Sequence, residues 1–445
     1  MRTPSLLRPL YRMGGWLRPS HQSRWTKAGL GYAAVWLGLV ITGLHQQINL
    51  LLLTAGLAAG PIVASYVISR AMLRRVTLTR RVPEYVFAGE PLAIDYTLEN
   101  RRSTTAALAL EVSEELTPLD RSQPAAPRIV PRVIFERVPP SGRCRLRWQG
   151  PSPPRGKYAF GSLELTTRAP FGLLERGETI IRPAQVVVYP AIGRLERRWH
   201  QIQRQSTQTT RGRRHDRTAQ QQEYHGLREY RAGDSMRWIH WRTTARLGYP
   251  MVKEFEQQND QEMAVLLDPW VPRSRVTPEQ REALEAAIRF AATVCFETCR
   301  RSGRRLLLGW TGSTPGVREG AASVKLLHEM LESLAVLQGS ADGQLSALFD
   351  ALPPSVLREA LLVIVSTRPL NLAEEADRSS RLAEASLRGL ASRIMTLDVS
   401  RGDLDGLIDF GARVPANDRI VPAAEGTRQD EAALSSPNAG RSGAP

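Results

Sequence analysis

Lysine is almost missing from this chain: Lys27, Lys157, Lys253 and Lys325 stand alone among 60 basic side chains. Against 44 acidic residues the formal charge is +16, so arginine carries nearly all of the excess. A genome favouring arginine codons is the simpler account, and attraction to anionic lipid or nucleic acid is the sharper one. Cysteine is scarce as well. Cys144, Cys295 and Cys299 cannot build a disulfide framework and suit a reducing compartment. Cys295 and Cys299 stand four apart on an expected helix, a spacing for two small core residues on one face; two thiols without further ligands make no metal site. The chain also lacks a phosphate-binding Gly-rich loop closed by Lys-Ser or Lys-Thr, and it lacks the nucleophile elbow Gly-x-Ser-x-Gly. Its seven histidines show no His-Glu-x-x-His spacing. These absences exclude the recognisable nucleotide-hydrolase, serine-hydrolase and zinc-protease classes, and no cofactor is expected.

Acidic residues are absent until Glu84, and that gap has a shape. Residues 28–44 and 50–69 are uncharged and mostly apolar, separated by His45-Gln46-Gln47-Ile48-Asn49. A helix needs about 17–25 such residues to cross the hydrocarbon core. Gly56, Gly60 and Pro61 are tolerated in membrane helices. The expectation for residues 1–75 is a transmembrane hairpin with basic flanks. Arg2, Arg8, Arg12, Arg18, Arg24 and Lys27 precede it, and Arg70, Arg74, Arg75, Arg80 and Arg81 follow it. By the positive-inside rule both flanks, and the soluble domains, belong in the cytoplasm. A cleaved signal peptide is the competing reading, but the second apolar run would act as a stop-transfer segment.

Residues 76–190 read as β. Val76–Thr79, Leu92–Leu98 and Ala107–Val112 alternate or run apolar between Gly, Pro and Asn punctuation. About seven such strands favour an immunoglobulin-like β-sandwich. Residues 191–225 read as a linker or mobile loop, since 200–222 are rich in Gln, Arg and Thr without apolar periodicity. Arg211, Arg213, Arg214 and Arg217 could hold phosphate, so anionic lipid or nucleic acid at residues 211–217 stays open as an alternative, although no nucleic-acid partner is expected.

Residues 226–256 crowd Arg228, Arg231, Arg237, Arg242 and Arg246 with Glu229, Asp234, Glu254 and Glu256, and set Trp238 and Trp241 among them. Gly233-Asp234 gives a break and an N-cap, residues 235–247 a short helix, Gly248 a left-handed stop, and Met251–Glu256 a strand. On one helix Trp238, Trp241 and Ala245 would share a face. Arg228, Asp234, Arg237 and Arg242 then make either a partner-binding surface or a structural ion-pair junction, and the crowding of charge around large aromatics favours the junction.

This run resembles the signature of the bacterial membrane-protein family known as domain of unknown function number 58. The matching positions are Gly226-Leu227-Arg228, Tyr230, Gly233-Asp234, Arg237, Ile239, Trp241-Arg242, Ala245-Arg246 and Val252-Lys253-Glu254-Phe255-Glu256. Arg155-Gly156, Tyr158, Gly161 and Pro170-Phe171-Gly172-Leu173 add to the likeness, with Ala169 where the family usually has Asp. The resemblance implies a bacterial inner-membrane protein working with a MoxR-type AAA+ ATPase in envelope assembly or stress.

Residues 257–423 change period. Met263–Asp268 reads as a buried strand ending in a carboxylate, and Thr277-Pro278-Glu279-Gln280 opens a helix with a capping box. Strand Leu306–Leu308, helix 322–337, strand Leu361–Val365, helix 373–390 and strand Ile394–Leu397 continue the alternation of a doubly wound parallel sheet. After the signature, this looks like a von Willebrand factor type A domain. Its usual Asp-x-Ser-x-Ser cation motif is degenerate, with Trp270 and Pro272 for the serines and Ser366-Thr367-Arg368 where Asp-Gly is expected. One carboxylate cannot readily meet the oxygen demand of Mg²⁺, so no metal is expected and Asp268 reads as a strand-end residue bonded to neighbouring backbone. Residues 424–445 read as a disordered tail. The leading function is a membrane-anchored scaffold or adaptor; the alternative is a hydrolase or metal-dependent enzyme using Asp268 and Asp234 with a nearby histidine such as His225 or His240.

Overall fold

The computed structural model of the protein describes residues 21–120, 128–203, 223–231, 236–256, 262–274, 276–300, 305–379, 381 and 393–411. They form two compact units, divided in sequence between Tyr189 and Pro190.

The first unit opens with strand β1 (His21–Trp25) and helices α1 (Lys27–Gln46) and α2 (Asn49–Leu73). Both helices are long and apolar enough to cross a membrane. Leu30, Val35, Ile41, Leu44, Leu50, Leu57 and Val63 point their apolar surface outward. The Thr26 side chain caps α1 by accepting from Gly29 N at 2.9 Å. Tyr32 Oη and Trp36 Nε1 donate to the carbonyls of Ala58 and Ala55, at 2.8 and 2.9 Å, and tie the two helices together.

The strands that follow are β2 (Val76–Arg81), β3 (Tyr85–Phe87), β4 (Leu92–Asn100), β5 (Ala107–Ser113), β6 (Leu116–Pro118) and β7 (Arg132–Val138). Then come β8 (Arg143–Gly150), β9 (Gly156–Phe160), β10 (Leu163–Thr167), β11 (Leu174–Ile180) and β12 (Ala184–Tyr189). They pair as β1-β11-β10-β5-β7, β3-β12-β9-β6 and β2-β4-β8. Only β3–β12 is parallel among these ladders. The count exceeds the seven or so expected, because pieces as short as β3 and β6 leave no alternation to read. β1, expected to be no more than a basic flank, is in fact an edge strand of a sheet.

Period-two burial builds the core: β4 buries Leu92, Ile94, Tyr96, Leu98 and Asn100. Within that core Glu114 is ion-paired with Arg80 and accepts from Tyr96 Oη. Arg80 also lies 4.8 Å from the Phe160 ring centroid and donates to the Arg182 carbonyl at 2.7 Å. Burial pushes the Glu114 carboxyl above its ordinary range, against the pull of Tyr96 and Arg80. Burial likewise holds the Tyr96 phenol far above its ordinary range.

The second unit begins with β13 (Arg194–Leu195) and α3 (residues 197–203). This corrects the linker expectation for that stretch. Trp199 is buried edge-on against Phe290 at 5.3 Å, and Gly193 N donates to Thr293 Oγ1 at 3.0 Å. One tryptophan in a polar run supplies the anchor that composition averages away. After β14 (Glu223–Glu229), α4 (Trp241–Leu247) and β15 (Met251–Glu256) comes the α/β part. It consists of β16 (Met263–Asp268), α5 (Pro278–Arg300), β17 (Arg305–Trp310), β18 (Gly316–Ala321), α6 (Val324–Val336), α7 (Leu345–Ala351), α8 (Pro354–Glu359), β19 (Leu361–Ser366), α9 (Leu372–Arg378), β20 (Ile394–Asp398) and β21 (Ile408–Asp409).

The sheet order is β18-β17-β16-β19-β20, parallel except for the antiparallel edge strand β18. A wholly parallel sheet was expected; the Gly316–Ala321 strand carries no apolar run that would announce it. The capping box at Thr277 forms: Gln280 N donates to Thr277 Oγ1 at 3.3 Å and Thr277 N to Gln280 Oε1 at 3.0 Å. Cys295 and Cys299 are buried free thiols on α5, and burial raises the Cys299 thiol to about 11.

Candidate functional site

Two places in the second unit gather chemistry. The first is the carboxyl end of the central strand β16, beside the point where the strand order reverses, which is where open α/β sheets bind ligands. Asp268 ends β16 and is fully buried. Its Oδ1 accepts from Thr311 Oγ1 at 2.7 Å; its Oδ2 accepts from Arg368 Nε at 2.9 Å and from Ser366 Oγ at 3.3 Å. Parallel pairing makes the meeting inevitable. Thr311 follows β17, Ser366 ends β19, and both strands flank β16 in register. Arg368 N donates to Ser366 Oγ at 3.1 Å, its Nη2 to the Gly343 carbonyl at 3.4 Å, and its guanidinium stands 5.6 Å from the Trp270 ring centroid.

The expectation that Asp268 bonds to neighbouring backbone is therefore corrected. Its carboxylate is held by three side chains from two other strand ends. Arg368 and Ser366 appear in the sequence as departures from a metal motif, yet they are the partners that neutralise and orient the carboxylate. Thr311 was missed altogether; the available signal was a hydroxyl directly after the apolar run Leu306–Trp310. Among the described residues no group of three or more His, Cys, Asp or Glu is placed to hold a metal ion. With both oxygens engaged and the charge paired, Asp268 is built as a fixed acceptor rather than a free base. Beside it a cavity of about 360 Å³ opens between Trp270, Glu279, Gln280, Thr367, Ser400 and Phe410.

The second place is the signature. β14 and β15 form a two-stranded antiparallel ladder with an irregularity between Tyr224 and Gly226. The connection is not one helix over 235–247. A 3₁₀ turn spans Met236–Trp238, Ile239 pairs with Val252 as an isolated bridge, and α4 starts only at Trp241. Backbone pairing explains the break: His240 N donates to the Met251 carbonyl at 2.8 Å, which holds residues 239 and 240 extended against β15. Trp238 and Trp241 consequently do not share a helix face.

The cap is His240, whose Nδ1 accepts from Thr243 N at 3.3 Å and lies 2.8 Å from Thr243 Oγ1. Gly248 ends α4 in the left-handed region at φ 80°, as expected. Gly233 and Asp234 lie outside the described residues, as does the 211–217 arginine cluster; the Arg237 side chain is not described either. The remaining side chains settle outward more than inward. Trp241 is 68% exposed, Met236 73% and Tyr249 43%, and Arg242 and Arg246 are exposed too. Trp238, Ile239, Arg228 and Tyr230 are half-buried. α4 buries none of its residues. A junction in which Trp241, Arg242 and Arg246 are buried together is thus not what the structure holds.

What these units define is a chain with an apolar N-terminal hairpin, a β unit and a largely parallel α/β unit that bears a protruding ladder. Residues 226–400 match the model of the family described as protein of unknown function DUF58, so the segment carrying both the signature and the Asp268 cluster belongs to that family. No curated protein matches the chain. Among solved structures, a β-glucosidase from Listeria innocua in complex with glucose is 11% identical with a TM-score of 0.17, covering 25% of this chain and 16% of its own. A superoxide reductase (neelaredoxin) from Ignicoccus hospitalis is 12% identical with a TM-score of 0.15, covering 26% and 88%. The Pseudomonas fluorescens alkylpurine DNA glycosylase AlkC bound to DNA is 12% identical with a TM-score of 0.17, covering 30% and 38%. Likenesses that slight carry no argument about fold or function.

Proposed function

We propose that this protein is a membrane-anchored scaffold whose signature ladder docks a partner, and that it works by binding rather than by catalysis. The observation that carries the reading is the outward display of Trp241, Met236 and Tyr249 beside Arg242 and Arg246 on a small ladder that buries little of itself. Exposed aromatics next to arginines are the residue types that dominate docking energy. The expectation of a purely structural junction gives way here to the docking surface. By the family resemblance, the partner is a MoxR-type AAA+ ATPase serving envelope assembly or stress.

The anchor is the α1–α2 hairpin. Its apolar side chains face outward around both helices, as a bilayer requires and a soluble core does not. Arg24 and Lys27 before it and Arg70, Arg74 and Arg75 after it support a bacterial inner-membrane protein with both flanks and both soluble units cytoplasmic. The β unit is read as an immunoglobulin-like sandwich, supported by its antiparallel ladders and period-two burial. The sheet order of the α/β unit, with Asp268 ending its central strand, supports a von Willebrand factor type A-like domain in which Arg368 takes up the carboxylate.

The test is a pull-down from detergent-solubilised membranes with and without ATP, using the wild-type chain and Trp241→Ala. Enrichment of an ATPase by wild type and its loss with Trp241→Ala supports the scaffold. Equal recovery by both chains sinks the signature as docking surface, and no ATPase in either removes the proposed partner.

A further inference from the structure

The cytoplasmic end of the hairpin and the five-stranded sheet of the first unit share a junction. β1 pairs with β11 from His21↔Glu178 to Trp25↔Leu174, and α1 begins two residues later. Arg176 of β11 stands with its guanidinium 5.6 Å from the Tyr66 ring centroid on α2. Its Nη1 is buried and has no hydrogen-bond partner among the described residues. Ser65 Oγ, one residue along α2, is in the same condition on a residue only 1% exposed. Both atoms are donors, and buried donors left unmade are costly. The strand neighbour Glu175 does not answer them, because it is engaged by Arg168 at 2.8 Å. Arg176 as a whole is only partly buried, which leaves an approach from the surface.

Depth identifies the missing acceptor. Tyr66 is 50% exposed and Trp25 46% exposed, both at the basic end of the hairpin near Lys27 and Arg70, where an aromatic belt meets the headgroup layer. The acceptor present in quantity at that depth is phosphate, and a positive flank favours the anionic lipids. We infer that the hairpin–sheet junction holds the headgroup phosphate of an anionic phospholipid, accepting hydrogen bonds from Arg176 and Ser65. The inference rests on the membrane-anchored reading, and it is separate from any docking at the signature.

The test uses the full chain. Alkaline carbonate extraction of membranes comes first: release without detergent overturns the membrane reading and this inference together. If the chain stays in the membrane, detergent-solubilised protein is titrated with phosphatidylglycerol, phosphatidylcholine or inorganic phosphate, with tryptophan fluorescence as the readout. Phosphatidylglycerol is expected to bind in preference to the other two. Arg176→Gln should weaken it roughly fivefold to tenfold and Ser65→Ala by a smaller factor, while Arg143→Gln on β8 leaves it unchanged. Equal binding by Arg176→Gln and wild type, when Ser65→Ala also binds normally, overturns the inference. So does an equal loss with Arg143→Gln, which means diffuse attraction, or a response to inorganic phosphate as strong as that to the lipid.

Discussion

Asp268 and the signature use the same ingredients, arginine, carboxylate, hydroxyl and tryptophan, and arrive at opposite arrangements. At the sheet end, Arg368 reaches a fully buried carboxylate and a hydroxyl covers each remaining oxygen. In the signature, Arg242, Arg246 and Trp241 face solvent while backbone pairing alone fixes the ladder. The difference is strand register. Parallel strands force residues at equivalent ends together, so their polar groups must satisfy one another. A two-stranded ladder has no second layer, so its long side chains remain available.

The strongest way to break that comparison is to strand a buried charge where no water reaches it. Arg80→Ala leaves Glu114 without its cation in the core of the first unit and should cost about 3–5 kcal/mol in urea unfolding. A loss below about 1 kcal/mol would mean that the carboxyl protonates and takes up a neutral bond instead. Arg368→Ala should cost less, about 1–3 kcal/mol, because this guanidinium is 30% exposed and water can replace it. Next in size is His240→Ala, which removes the α4 cap and should lower stability by about 0.5–2 kcal/mol, readable as faster amide exchange at Thr243. Trp241→Ala and Arg242→Ala should change melting by no more than about 0.5 kcal/mol while partner recovery falls. A large melting shift in both would return the signature to the buried-junction reading.

The smallest effect concerns acid. Hydrogen bonds from Arg147 and then Arg145 hold Asp95 at about 2, below the ordinary aspartate value of 3.8. A depressed folded value means that its contribution is complete above about pH 4 and is lost as pH falls through about 2. The pair lies at the surface, so the loss is modest and shrinks in high salt. Comparing urea midpoints of wild type and Asp95→Asn across that window checks the sign; the variant should show the shallower fall.

The two apolar helices, the strands at 76, 92, 107, 263, 361 and 394, and the capped start of α5 were legible because burial imposes a period on local sequence. Gly248 was legible because few residues tolerate its φ. What stayed hidden depends on pairing at a distance. β1 reads as a basic flank because its partner is 150 residues away; Trp199 reads as part of a linker because Phe290 is equally remote. His240 was overlooked as a cap for a local reason: the bridge from Ile239 to Val252 moves the helix start by several residues. Likewise the Asp268 cluster could be named in parts, yet only register shows that Thr311 belongs to it.

One detail of the first unit has a mechanical consequence. Gly29 sits so close to the Leu173 carbonyl that a Cβ there would stand 1.9 Å from the oxygen, and the Thr26 hydroxyl donates to the Gly172 carbonyl at 2.6 Å. At the other exit Arg102 clasps the Ala71 and Met72 carbonyls at 2.7 and 3.3 Å. The hairpin therefore has no swivel at either root. In a bilayer it would act as a stiff mast: thinning of the surrounding lipid tilts the helices, and the sheet leans with them as the short arm of a lever.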